Sequence, residues 1–116
     1  MWACSAQDEV YDSAVTTGAT SLGDATPTGT WQVYSKQTNR HLIGSDSRGS
    51  WDDFVNYWMP FYGDYGFHDA SWQTFPFGDL QDYPTQGSHG CVHLSLSAMA
   101  WLYNWAEVGT TVTVQA

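Results

Sequence analysis

The residues best equipped for chemistry sit in one short run, Ser88-His89-Gly90-Cys91-Val92-His93. A cysteine becomes a strong nucleophile once its thiol proton is taken, and a neighbouring imidazole can take it. His68 supplies a further imidazole upstream, and the next residue, Asp69, can orient that ring through its backbone or its side chain. Gly90 allows the backbone N–H groups at 90 and 91 to turn toward a developing oxyanion without a Cβ in the way. Plainer readings compete. A single cysteine is most often a small buried hydrophobe, and a single histidine a satisfied structural residue. His89, Cys91 and His93 alternate, so in a strand they would share one face. With His68 they make a four-ligand zinc set, although the spacing is poor for a zinc motif. Residue types alone leave nucleophile, structural thiol and metal ligand open.

These residues must be positioned by a scaffold that reads as mostly β. Val10 to Thr17 has the β-branched content of a strand. Gly18 to Gly29, with three Gly and one Pro, reads as loop. Thr30 to Lys36 alternates, with Trp31, Val33 and Ser35 on one face. Thr38 to Trp51 is polar and rich in Gly and Ser, and is expected to be loop. Phe54 to Tyr62 reads as a buried strand interrupted at Pro60, and Tyr65 to Asp69 as a short strand that delivers His68. Ala70 to Gly87 reads as one long loop, a length that is usually functional in a compact domain. Ser95 is a good N-cap. Leu96, Met99, Leu102 and Tyr103 follow at helical spacing, and the helix is expected to stop before Gly109. Thr110 to Val114 reads as a last strand.

At 116 residues the chain has room for one domain, 1–116, with a modest core. No run approaches the length of a membrane span. Twelve acidic residues face three basic ones (Lys36, Arg40 and Arg48), for a net charge of −9. Three bases cannot neutralise a phosphate backbone, which excludes nucleic-acid binding, and a basic membrane anchor fails for the same reason. Seven Trp, seven Tyr and five Phe on an acidic, lysine-poor chain suggest an exported protein. No signal peptide is visible, so an export signal is expected outside this chain. Cys4 lies in a strand-like opening and is expected to be a small buried hydrophobe. A disulfide to Cys91 is not expected, because a nucleophilic Cys91 must be free.

The segment from His68 to Cys91 resembles the active-site motif of the L,D-transpeptidase (YkuD-like) catalytic domain. That motif is a His, a long spacer, Ser or Thr followed by His-Gly-Cys, a hydrophobic residue, and Asn or Arg. Here 19 residues, 69 through 87, form the spacer, and Ser88, His89, Gly90, Cys91 and Val92 fit. Ala25-Thr26-Pro27-Thr28-Gly29-Thr30 resembles the family's TPTG loop. Tyr57-Trp58-Met59-Pro60-Phe61 and Gly66-Phe67-His68-Asp69-Ala70 resemble the strands leading to its first His. Two features depart from the pattern: His93 stands where the family has Asn or Arg, and the usual strand ahead of Trp2-Ala3-Cys4 is missing, which is expected to expose a sheet edge.

The resemblance implies a mainly β, sandwich-like fold with one C-terminal helix beside the catalytic loop. It implies action on peptidoglycan stem peptides outside the cytoplasm, by a monomer with no cofactor and no metal. Cys91 is then the nucleophile and His68 the base, with His68 oriented by the Asp69 carbonyl. The N–H groups of Gly90 and Cys91 form the oxyanion hole. His89 supports the loop or a second proton transfer. Trp72 corresponds to an aromatic wall of the pocket, and Ser88 and His93 border the substrate. With water as acceptor, the same site is an L,D-carboxypeptidase. Aromatics on an acidic β scaffold would also suit a wall- or carbohydrate-binding module, but that reading explains nothing in the Ser-His-Gly-Cys loop. In papain-like peptidases the cysteine precedes the histidine, the reverse of the order here.

Overall fold

The computed structural model describes residues 1–5, 8–18, 26–46, 49–73, 77 and 90–115. Among them are eight strands and one helix: β1 (Trp2–Ser5), β2 (Asp8–Asp12), β3 (Gly29–Gln32), β4 (Gln37–Asp46), β5 (Gly49–Tyr62), β6 (Tyr65–Asp69), β7 (Val92–Leu94), α1 (Leu96–Trp105) and β8 (Thr111–Val114). The strands form three sheets: β1 with β2, β3 with β8, and a four-stranded sheet in the order β4-β5-β6-β7. The first three strands of that sheet are antiparallel neighbours, and β7 runs parallel to β6.

The core lies where the four-stranded sheet, α1 and the β3–β8 pair meet. Met59 and Phe61 of β5, Phe67 of β6, Val92 and Leu94 of β7, Met99 and Leu102 of α1, and Val112 of β8 are buried together. Full burial of side chains the size of Met59, Leu94 and Met99 contributes about 1.5–3 kcal/mol each. α1 starts where its cap predicts: Ser95 Oγ accepts from the Ala98 N–H at 3.3 Å. The buried residues Ala98, Met99 and Leu102 share one helical face. The helix ends as the Ala106 N–H bonds the Leu102 carbonyl at 2.9 Å. Several aromatics join elements. Tyr11 stacks on Trp101 at 4.0 Å, tying β2 to the helix, and Trp31 packs against Phe61 and Tyr62 across sheets.

Several segments differ from expectation. Of the segment from Thr38 to Trp51, the described residues 38–46 and 49–51 are no loop; they belong to the β4–β5 hairpin, whose register sets His41 opposite Phe54 and Gly44 opposite Trp51. Beyond the end of β6 this hairpin is a two-stranded ribbon. Neither face is fully covered, so it carries no apolar alternation to read. Cross-strand pairs hold it instead. His41 Nδ1 lies 2.8 Å from Asp52 Oδ1, and the Trp51 ring lies over Gly44 so closely that a Cβ there would come within 2.4 Å of it. β5 is not interrupted at Pro60. It continues to Tyr62 through an irregularity between Pro60 and Tyr62, which accommodates a residue without an N–H. The Pro60 carbonyl then accepts from the Tyr34 N–H. β3 stops at Gln32, β2 stops at Asp12 rather than reaching Thr17, and Val92–Leu94, to which the sequence assigned no element, is a strand. Cys4 is exposed, not buried, beside an irregularity of the β1–β2 ladder.

Candidate active site

The site is built on the parallel pairing of β6 with β7. In the β6–β7 ladder Phe67 lies beside Val92, His68 beside His93, and Asp69 beside Leu94. Side chains alternate across a sheet, and Phe67, Val92 and Leu94 enter the core. His68 and His93 therefore emerge together on the other face, with ring centroids 4.6 Å apart. Trp72 covers both, stacked on His68 at 5.8 Å and edge-on to His93 at 5.8 Å. Trp58 closes on His68 from β5 at 5.9 Å.

His68 is buried, and its Nδ1 lies 2.8 Å from the Asp69 backbone carbonyl. A carbonyl can only accept, so Nδ1 carries the hydrogen and Nε2 keeps its lone pair. Burial holds the imidazole below its usual range, opposed by the hydrogen bond to Asp69 and by the charge of Asp69. The Asp69 carboxylate itself serves a different partner. It accepts from the backbone N–H of Asn56 and of Tyr57 (3.0 and 2.9 Å) and from Asn56 Nδ2 at 3.1 Å. This buried carboxylate clamps the end of β6 to β5, and so fixes the carbonyl that orients His68.

Cys91 lies one residue ahead of β7, where the ladder, extended one step, comes to Gly66. The Gly66 backbone hydrogen-bonds the sulfur, and the thiol itself lies 3.5 Å from the Asp64 carbonyl, to which it donates. The residue is half-buried, but its thiol is enclosed enough that burial pushes it up to about 11; the Gly66 bond pulls the other way and the charge of Asp64 adds to the rise. Cys91 and His68 are thus both driven toward their neutral forms. Cys4 and Cys91 are not joined by a disulfide.

Gly90 is buried with φ +125°, and a Cβ there would come 2.1 Å from Tyr65 Cε1. Only glycine meets both conditions without strain. Its carbonyl accepts from Thr26 Oγ1 at 2.8 Å, and the same hydroxyl accepts from the Gly18 N–H at 3.0 Å. Thr26, in the loop singled out from the sequence, therefore ties the residue before Cys91 to a distant segment. Thr16 and Gln73 had no sequence signal. Thr16 exchanges two backbone hydrogen bonds with His93 (2.9 and 2.7 Å). Gln73 Nε2 donates to Thr16 Oγ1 at 2.8 Å, and Gln73 Oε1 lies 3.2 Å from His93 Nδ1. Of the residues picked from the sequence, His68, Asp69, Trp72 and His93 come together, with Gly90 and Cys91 at the mouth of β7. Ser88 and His89 lie outside the described residues. Among the described residues no group of three or more His, Cys, Asp or Glu is arranged to hold a metal ion.

A family model for the YkuD L,D-transpeptidase catalytic domain matches residues 1–114. The chain belongs to this family. No curated protein matches it in sequence. Among solved structures it is similar to a cysteine-to-serine mutant of Enterococcus faecium L,D-transpeptidase, with 31% identity and a TM-score of 0.86, over 98% of this chain and 44% of that one. The catalytic domain of the E. faecium enzyme acylated by ertapenem is 33% identical with a TM-score of 0.79, over 98% of this chain and 87% of that one. An L,D-transpeptidase from Stackebrandtia nassauensis is 26% identical with a TM-score of 0.74, over 99% of this chain and 49% of that one. The domain thus spans about half of the longer relatives and most of the isolated catalytic domain. Among the described residues its mainly β architecture, with one helix, is the L,D-transpeptidase fold.

Proposed function

We propose that this domain is a cysteine-dependent L,D-transpeptidase acting on peptidoglycan stem peptides. The observation that carries the reading is the β6–β7 pairing. It sets Cys91 against the Gly66 backbone and His68 two residues further along the neighbouring strand, with Nδ1 tied back to Asp69 and Nε2 left as the proton acceptor.

The carbonyl of the third stem residue enters beside Cys91. His68 Nε2 takes the thiol proton as sulfur attacks, so no standing thiolate is required. Negative charge moves to the carbonyl oxygen, which the N–H groups of Gly90 and Cys91 receive. The carbon–nitrogen bond to D-alanine breaks, and the amine leaves with the proton held by His68. A thioester remains on Cys91. The side-chain amine of a neighbouring stem then attacks and gives its proton to His68, which passes it to the departing sulfur, leaving a 3→3 cross-link and the Cys91 thiol. Trp72 walls the entry, and His93 borders the substrate. Water as acceptor converts the reaction to an L,D-carboxypeptidase.

Such substrates place the domain outside the cytoplasm. Among the described residues no helix is long and apolar enough to cross a membrane. The ertapenem-acylated relative supports a covalent test. Incubation with disaccharide tetrapeptide is expected to release D-alanine and give dimer masses, and incubation with ertapenem to add the drug mass to the peptide containing Cys91. Cys91→Ala loses both. Retained turnover in folded Cys91→Ala protein, or an adduct on Cys4 alone, refutes the assignment; a wall-binding module would tolerate the substitution.

A further inference from the structure

We infer that His93 is a second imidazole coupled to His68, and that its protonation shuts off the transfer of the thiol proton from Cys91 to His68. The inference rests on the cysteine–histidine reading above. Its basis is the juxtaposition of the two rings. They occupy directly paired positions of a parallel ladder, emerge on the same face and lie 4.6 Å apart under one tryptophan.

His93 is held from three directions. Its backbone is bridged to Thr16, its ring meets Trp72, and its Nδ1 lies 3.2 Å from Gln73 Oε1. Gln73 spends its Nε2 on Thr16 Oγ1, leaving its carbonyl oxygen for His93. With Gln73 Oε1 as its acceptor, Nδ1 of His93 carries the hydrogen and Nε2 keeps its lone pair. An asparagine at this position would satisfy the same glutamine without titrating, so the imidazole brings a charge change that the hydrogen bond does not need.

On β6 the Asp69 carboxylate, bonded by the amides of Asn56 and Tyr57, favours the charged form of His68. Asp64, in the turn between β5 and β6, lies at Cys91. β5 presents the neutral Trp58, and the segments carrying Thr16 and Trp72–Gln73 present uncharged groups. Two imidazoles at this separation disfavour a shared double charge, so protons bind to the pair in coupled steps. With His93 protonated, His68 must accept the Cys91 proton beside a positive charge. The cost falls on the acylation step itself.

The test is the pH dependence of Cys91 acylation by ertapenem, followed by mass spectrometry between pH 5 and 8, for the wild-type protein and His93→Asn. Each is normalised to its own rate at pH 8. The variant is expected to keep roughly tenfold more of its rate at pH 5.5 than the wild type does, because its acid limb reflects His68 alone. Superimposable normalised limbs overturn the inference. Absence of any wild-type acylation instead overturns the cysteine–histidine reading, a separate result. Should His93→Asn fail to fold, wild-type imidazole NMR decides: the His68 Hε1 resonance is expected to titrate in two steps, the second reporting His93, and a single step overturns the coupling.

Discussion

The Cys91 thiol is held as a thiol, and this has a measurable consequence. Burial raises the Cys91 thiol from 9.0 to about 11. At pH 7.5 the thiolate fraction therefore falls from roughly 3 in 100 to roughly 3 in 10,000, about a hundredfold. A reagent that reacts only with preformed thiolate sees this loss in full. In a Cys4→Ser background, which removes the exposed second thiol, iodoacetamide is expected to alkylate Cys91 about a hundredfold more slowly than an unperturbed cysteine peptide at pH 7.5. The rate should climb about tenfold per pH unit with no plateau below pH 10. The sign follows from the direction of the shift: the folded protein binds the thiol proton more tightly than the unfolded chain, so folding stability is also lost as pH rises through 9 toward 11. Acylation by ertapenem behaves differently, because His68 takes the proton during attack. His68→Ala is expected to slow acylation by about 10²- to 10⁴-fold while changing alkylation less than about threefold. The assay is the pair of pH–rate profiles, read by mass spectrometry. An alkylation plateau below pH 8 that disappears in His68→Ala would reveal a standing thiolate–imidazolium pair and refute this reasoning.

Two further outcomes follow from the surroundings. Gly90→Ala places a side chain at φ +125° and against the Tyr65 ring; a cost of about 1–3 kcal/mol for the backbone and about 1–3 kcal/mol for overpacking is expected in urea unfolding, with Tyr65→Ala recovering only the second part. Asp69→Asn turns one acceptor of the β5 clamp into a donor facing the Asn56 and Tyr57 donors; about 2–4 kcal/mol of stability should go, with slower acylation, whereas Asn56→Ala, which removes only the Nδ2 bond, should cost about 1 kcal/mol.

Signals that act within a few residues were legible along the chain. Ser95 and the helical spacing of Leu96, Met99 and Leu102 located α1 because a cap and one apolar face are local properties. Tyr65–Asp69 and the alternation ending in Val114 were readable for the same reason. The β4–β5 hairpin was not, since its stability comes from pairs such as His41–Asp52 and Trp51 over Gly44, which exist only after the strands are in register. Cys4 misled because a small apolar residue in a strand says nothing about which face meets the core.

The same division runs through the site. The sequence by itself determined which chemical groups are present, and the order and spacing that make the chain resemble an L,D-transpeptidase domain. It also determined that a glycine precedes Cys91, so the backbone there is free to adopt φ +125°. Only the tertiary structure decided that the Asp69 carbonyl orients His68 while its carboxylate clamps β5, that Thr26 anchors Gly90 across the fold, and that His93 sits against His68. These contacts join residues on different elements, and the parallel β6–β7 pairing creates them by choosing one register. The proton affinities of Cys91 and His68 belong to the same class, because desolvation depends on everything packed around a group and not on its neighbours in the chain.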